Sequence, residues 1–294
     1  MKIRFQLFLI SFLCFSVLFS CTSEEEPNLT DNEISTEAVA FLDVSYGSHP
    51  DQTYDIYLPE GRSPFSTKVI VLVHGGSWIE GDKSDMTEIV TFLQQSHPNH
   101  AIVNVNYVLA TPTIPAFPNQ FIDLDTIINK ITSEAKQLQI LPIFGFIGVS
   151  AGAHLSLMYD YVYDIDDQVK FVANIVGPTN LTDPFFSSDP DYDELIAFYV
   201  DETKYPNTTN YAQAVSPAFK VSFASSPTVM FYGNQDPIVP LSNGELLDEK
   251  LSEEMITHSF TIYNGGHGDD WSETDWLNVQ SQIGEYIDDY LYLE

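Results

Sequence analysis

Four short strings in this 294-residue chain carry side chains whose types and order could do chemistry. Gly148-Val149-Ser150-Ala151-Gly152 places a serine between two glycines. Upstream, His74-Gly75-Gly76-Ser77-Trp78 follows an apolar run; downstream, Asp236 and then His267 each end one. A serine hydroxyl is a poor nucleophile unless a base removes its proton. His267 is the expected base, and Asp236 the group that orients its ring and stabilises its cation. The tetrahedral oxyanion of such a reaction needs fixed N–H donors, expected from Gly75, Gly76 and Ala151. The set as a whole is suited to acyl transfer. Asp269 and Asp270, just beyond the histidine, are alternative acids, but Asp236 has the better place at the end of a strand.

The elements that must hold these residues are legible as well. Ile143–Ile147 reads as a buried strand and Ala153–Met158 as the start of a helix, so Ser150 falls on a sharp strand-to-helix turn. Gly148 and Gly152 are expected there because strand and helix must come very close. Apolar runs at Lys68–Val73, Ala101–Tyr107, Phe144–Val149, Phe171–Ile175, Val229–Phe231 and Ser259–Tyr263 alternate with helical patterns, after an antiparallel pair at Val39–Tyr46 and Thr53–Leu58. That alternation predicts an α/β fold with a mostly parallel sheet of about eight strands, helices on both faces. Ser84 is expected to cap a helix carrying Met86, Ile89, Val90 and Leu93. A second helix should bury Phe121, Leu124, Ile128 and Ile131, and a final one Trp276, Val279, Ile283 and Ile287. Between about 177 and 220 the chain turns rich in Asp, Pro, Asn and aromatics, with helical spacing only at Glu194–Val200; this reads as a small cap that shapes the substrate pocket, its aromatics either lining an acyl or sugar site or packing the cap on the body.

Several residues are expected to be structural. His74 should brace its loop, and His154 should be buried and hydrogen-bonded. Trp78 could flank the substrate pocket or pack in the core. His97 and His100 flank a Pro-Asn pair and are not expected to hold a metal. Nothing in the chain calls for a metal or an organic cofactor.

Residues 1–20, with Lys2 and Arg4 ahead of an apolar stretch too short for a comfortable bilayer span, read as a targeting segment. Leu18-Phe19-Ser20-Cys21 resembles a bacterial lipobox, so Cys21 is the expected lipidation site and the membrane is met only through that anchor. The acidic Thr22–Glu26 run opens a flexible tether, 21–37, and suits an outer-membrane lipoprotein displayed at the cell surface; the catalytic domain then spans 38–294. Cys14 and Cys21 are the only cysteines, so that domain has no disulfide or thiolate metal site. With 42 acids against 11 Lys and Arg, net charge −31, the surface repels nucleic acid and favours an uncharged substrate. Oligomeric state is left open.

Taken together, these strings resemble the acetyl esterase/lipase (BD-FAE-like) carboxylesterase branch of the α/β-hydrolases. The order oxyanion loop, Ser, Asp, His is that superfamily's. Gln52–Pro59 resembles the branch's opening segment, and Ser150–Leu155 its nucleophile helix. Asn106-Tyr107-Val108-Leu109-Ala110 stands where relatives often carry Asn-Tyr-Arg-Leu-Ala, with Val108 in place of the arginine. The resemblance implies a serine carboxylesterase acting on a small ester or an acylated polysaccharide, with short acyl, acetyl or feruloyl groups. An arylformamidase-like amide hydrolase and a non-catalytic binding module on the same scaffold are the alternatives; a peptidase is disfavoured.

Overall fold

The computed structural model describes residues 35–207 and 209–292. The proposed signal segment, Cys21 and most of the tether lie outside these residues.

Eight strands form one sheet: β1 (Val39–Ser45), β2 (Thr53–Leu58), β3 (Val69–Val73), β4 (Ala101–Val105), β5 (Phe144–Val149), β6 (Val169–Ile175), β7 (Thr228–Gly233) and β8 (His258–Tyr263). Their spatial order is β1-β2-β4-β3-β5-β6-β7-β8. β2 runs antiparallel to both neighbours, and every other adjacent pair from β4 to β8 is parallel. A parallel sheet needs a crossover between successive strands, and the helices α1 (Thr87–Ser96), α2 (Asn119–Leu138), α3 (Ala151–Met158), α4 (Pro184–Ser187), α5 (Tyr192–Tyr199), α6 (Tyr211–Ala214) and α7 (Ser242–Glu253) lie in those connections, while α8 (Glu273–Tyr290) follows the last strand.

Burial on both faces explains why the central strands read as unbroken apolar runs. In β3, Val69, Val71 and Val73 face a core built with Phe121, Leu124, Ile128 and Ile131 of α2 and Leu155 of α3. Ile70 and Leu72 point the other way, to a core closed by Val90 and Leu93 of α1 and Val279, Ile283 and Ile287 of α8. One strand thus serves two cores through its two-residue period.

Three local readings change. The turn before α1 is capped by Asp82, which accepts from the Ser84 N–H at 2.8 Å, while Asp85 reaches back to the Asp82 N–H at 3.0 Å. The two carboxylates satisfy these donors reciprocally, so Ser84 sits inside the turn and α1 proper begins at Thr87. The stretch between β6 and β7 holds α4 and α6 in addition to α5; both are single turns, too short to show a period. α7 has no counterpart among the expected helices, because only Leu247 and Leu251 among its apolar residues are fully buried in a mostly polar helix.

Candidate active site

Ser150 joins β5 to α3 with φ 52° and ψ −119°, a conformation that costs a non-glycine residue about 1–3 kcal/mol. Its own N–H is held by the Ile175 carbonyl of β6 at 2.8 Å. The flanking glycines make the turn possible. A Cβ on Gly152 would lie on the carbonyl oxygens of Val73 and His74, and one on Gly148 would strike the backbone of Gly152 and Ala153. Strand and helix therefore pack backbone to backbone, and the hydroxyl stands above the sheet edge at the N-terminus of α3.

His267 meets it there. Its Nε2 lies 2.9 Å from Ser150 Oγ, and its Nδ1 lies 2.6 Å from Asp236 Oδ2. An ionised carboxylate can only accept, so Nδ1 carries the proton and Nε2 offers its lone pair to the serine. The Asp236 side chain is wholly buried, and its other oxygen accepts the N–H groups of Ile238 and Val239 at 2.8 and 2.9 Å. These bonds stabilise the charge and aim the carboxylate. The histidine loop is braced too: Asp270 accepts from the Gly266 N–H at 2.7 Å, Trp271 donates to the Gly266 carbonyl at 3.1 Å and Trp276 to that of Gly268 at 3.2 Å. Asp270 is thus occupied with backbone, and Asp236 is the acid that faces His267.

The His74–Trp78 loop lies against the serine. A Cβ on Gly75 would come within 3.1–3.2 Å of the Val149 carbonyl and Ser150 Cβ, so glycine permits this close approach. The backbone then turns back through three consecutive positive φ values, at Gly76, Ser77 and Trp78. His74 is buried, stacked 4.3 Å from the Tyr107 ring, with Nδ1 2.7 Å from the Gly75 carbonyl. Tyr107 donates to the His74 carbonyl at 3.0 Å. Burial lowers the His74 pKa and keeps the ring neutral, in the bracing position expected of it. Ala151 is the first residue of α3, so its N–H has no acceptor within the helix and is free to serve a substrate.

Two cavities meet at Ser150. The smaller, about 140 Å³, lies under α5 and is walled by Trp78, Ala151, Leu181, Tyr192, Ile196 and Tyr199. The larger, about 830 Å³, is an open groove past Gly75, Gly76 and His267, bordered by α1 and α8. Trp78 does flank a pocket while also packing edge-on against Phe117 and Tyr199. α5 falls in the cap and helical segment expected from the sequence; Tyr192, Leu195, Ile196 and Tyr199, which repeat at helical spacing, are the cap residues that wall the small cavity. Val108, the residue in place of the relatives' arginine, lines neither cavity; its N–H donates to the buried Asp123 at 2.8 Å. The His97 and His100 rings are 6.0 Å apart, and no cluster of three metal-binding side chains occurs among the described residues.

A doubly covered, mostly parallel sheet with a serine on its central strand-to-helix turn defines the class: this is an α/β-hydrolase of the serine-esterase type. The chain belongs to the BD-FAE family, whose model matches residues 54–251. It is similar over 255 residues to a kynurenine formamidase of Danio rerio, at 25% identity, covering 82% of this chain and 76% of that protein. Among solved structures it shares its fold with a truncated carbohydrate esterase from gut microbiota (TM-score 0.70, 19% identity, 86% and 97% of the two chains). It likewise matches an esterase, Est2, of Thermogutta terrifontis (TM-score 0.70, 17% identity, 89% and 95%).

Proposed function

We propose that the protein hydrolyses carboxylic esters of short acyl groups on carbohydrate alcohols through Ser150, His267 and Asp236. The observation that carries this reading is the continuous relay from Ser150 Oγ to His267 to the buried Asp236 carboxylate. As Oγ bonds to the acyl carbon, its proton passes to His267 Nε2 and the carbonyl π pair becomes the oxyanion. The N–H groups of Ala151 and of Gly75 and Gly76 are the donors proposed for that oxyanion, each worth about 3–4 kcal/mol in such a site. Collapse breaks the bond to the alcohol, which leaves with the proton from Nε2. Water then repeats the sequence on the acyl-serine, releasing the acid and restoring the serine.

The cavity under α5 favours short acyl chains. At about 140 Å³ it is comparable to an apolar cavity of about 150 Å³ that holds one benzene. Acetyl to butyryl groups fit that volume, whereas a whole feruloyl group does not. A carbohydrate alcohol is supported by the carbohydrate-esterase neighbour and by the uncharged-substrate preference of so acidic a surface. The test is hydrolysis of p-nitrophenyl esters from acetate to octanoate, with methyl ferulate and acetylated xylan, by the wild type and Ser150→Ala. Activity confined to short chains and abolished by Ser150→Ala supports the reading. No turnover, and no labelling of Ser150 by a fluorophosphonate, rejects it in favour of a binding module.

The similarity to a kynurenine formamidase favours one second reading, cleavage of an N-formyl aryl amide by the same residues. Comparing formanilide-type amides with phenyl acetate separates the two. We also propose Cys21 as the lipidated residue that tethers the domain to the outer membrane. Incorporation of labelled palmitate that persists in Cys21→Ser would refute that assignment.

A further inference from the structure

We infer that the substrate divides at Ser150, its acyl group entering the small cavity under α5 and its alcohol lying in the larger groove, and that the groove therefore rejects anionic alcohols. This rests on the ester-hydrolase reading above and adds orientation and charge selectivity to it.

The direction follows from where the proton must go. The departing alcohol oxygen has to be protonated by His267 Nε2, so it must lie on the histidine side of the tetrahedral carbon. His267 borders the larger groove and is no part of the small cavity's wall. Gly75 and Gly76 also border the groove, placing the oxyanion at its inner end. Of the four substituents on that carbon, Ser150 Oγ, the oxyanion and the alcohol oxygen are then assigned. The remaining acyl carbon is directed past Ala151 into the cavity closed by Leu195, Ile196 and Tyr199.

The two spaces differ in chemistry as well as size. The small cavity is walled by apolar and aromatic side chains. The groove is bordered by Glu80, Asp85, Glu88 and Glu273 and by no lysine or arginine. The three glutamates are exposed. Their field acts on whatever group the alcohol carries: an anionic substituent is repelled, a polyhydroxy group is indifferent to charge and offers donors to carboxylates, and a cation is attracted.

The experiment measures kcat/KM for three aryl acetates that share an acyl group: 4-nitrophenyl acetate, 4-acetoxybenzenesulfonate and 4-acetoxyphenyltrimethylammonium. Each value is divided by the ester's hydroxide hydrolysis rate. Salt is set at about 0.01 M and about 1 M, where the Debye length is about 30 Å and about 3 Å. The expected cation-to-anion ratio is about tenfold or more at low salt and collapses at high salt. Glu80→Gln/Glu88→Gln/Glu273→Gln should lower that ratio severalfold. Asp166→Asn/Glu254→Gln, at two exposed acids that border neither cavity, should not. With p-nitrophenol as the common alcohol, Ile196→Trp should cut butyrate relative to acetate turnover by about tenfold. No charge preference at low salt, or one that survives the groove variant, overturns the inference. So does an Ile196→Trp protein whose discrimination shifts with the alcohol and not with the acyl chain. If no ester turns over and a fluorophosphonate leaves Ser150 unlabelled, the esterase reading falls and this division with it.

Discussion

The indole N–H of Trp78 donates to Nδ1 of His154 at 3.3 Å. The other nitrogen of that ring, Nε2, lies 2.7 Å from the Val215 carbonyl. An indole can only donate and a carbonyl can only accept, so His154 is neutral with its proton on Nε2. His154 is fully buried on α3, one turn after Ser150. A single imidazole thus ties the loop that carries Gly75 and Gly76, helix α3 and the segment leading to β7.

His154→Ala should therefore be costly. It opens a cavity among Trp78, Phe117 and Phe121 and leaves a buried indole N–H and a carbonyl without partners. The expected loss is about 2–5 kcal/mol. Urea unfolding measures it; a loss under about 1 kcal/mol would mean the tie is dispensable.

Two buried groups give stability opposite pH dependences. Burial lowers the His154 pKa from 6.5 to about 4, so its contribution is present above pH 6.5 and is lost as pH falls towards 4. Burial raises the Asp160 pKa from 3.8 to about 7, although its carboxylate accepts the Ser226 N–H and hydroxyl. Its contribution is full below pH 3.8 and is lost as pH rises through 7. Relative to the wild type, Asp160→Asn should gain stability from pH 4 to 7, and His154→Phe from pH 6.5 down to 4. Each slope is bounded by about 1.4 kcal/mol per pH unit. Denaturant titrations across pH 4–8 that give flat differences would contradict both assignments.

Ser150 stores backbone strain for the sake of its position. Ser150→Gly and Ser150→Ala should both lose about 10⁴-fold or more in ester hydrolysis. They should differ in stability, because glycine accepts φ 52°, ψ −119° without a Cβ penalty. After the entropy that glycine adds to the unfolded chain, Ser150→Gly is expected to be about 1 kcal/mol more stable than Ser150→Ala. Equal melting temperatures would show that the turn is unstrained.

Asp236→Asn should preserve the fold and stop the chemistry. The asparagine carbonyl can keep the bonds from Ile238 and Val239, but its NH₂ then faces His267 Nδ1. The ring proton moves to Nε2, where it blocks abstraction from Ser150. A fall in kcat of about 10⁴ with an unchanged circular dichroism spectrum is the expected result.

The parts that could be read from the chain are those governed by neighbours in sequence. β5, the Ser150 turn and α3 are one contiguous strand–turn–helix, and the two glycines mark it. The buried faces of α2 and α8 appear as periods. α7 escaped because a mostly polar helix with two buried leucines carries little period, and the Asp82 cap escaped because Ser84 is equally good by type. That the cap shapes the pocket could be read from its place in the chain, but not that Tyr192, Ile196 and Tyr199 are the residues that wall the cavity at Ser150.

By itself the sequence determined the alternation of strands and helices and the order of the loop, serine, acid and histidine, since these depend on local propensity and periodicity. Only the tertiary structure decided that Asp236, rather than Asp269 or Asp270, faces His267, and that Ser150 opens onto an apolar cavity on one side and an acid-bordered groove on the other. The physical reason is range. Ser150 and His267 are 117 residues apart, and the space around them is enclosed by β-strand ends, α5 and α8 that meet only when the sheet is packed on both faces.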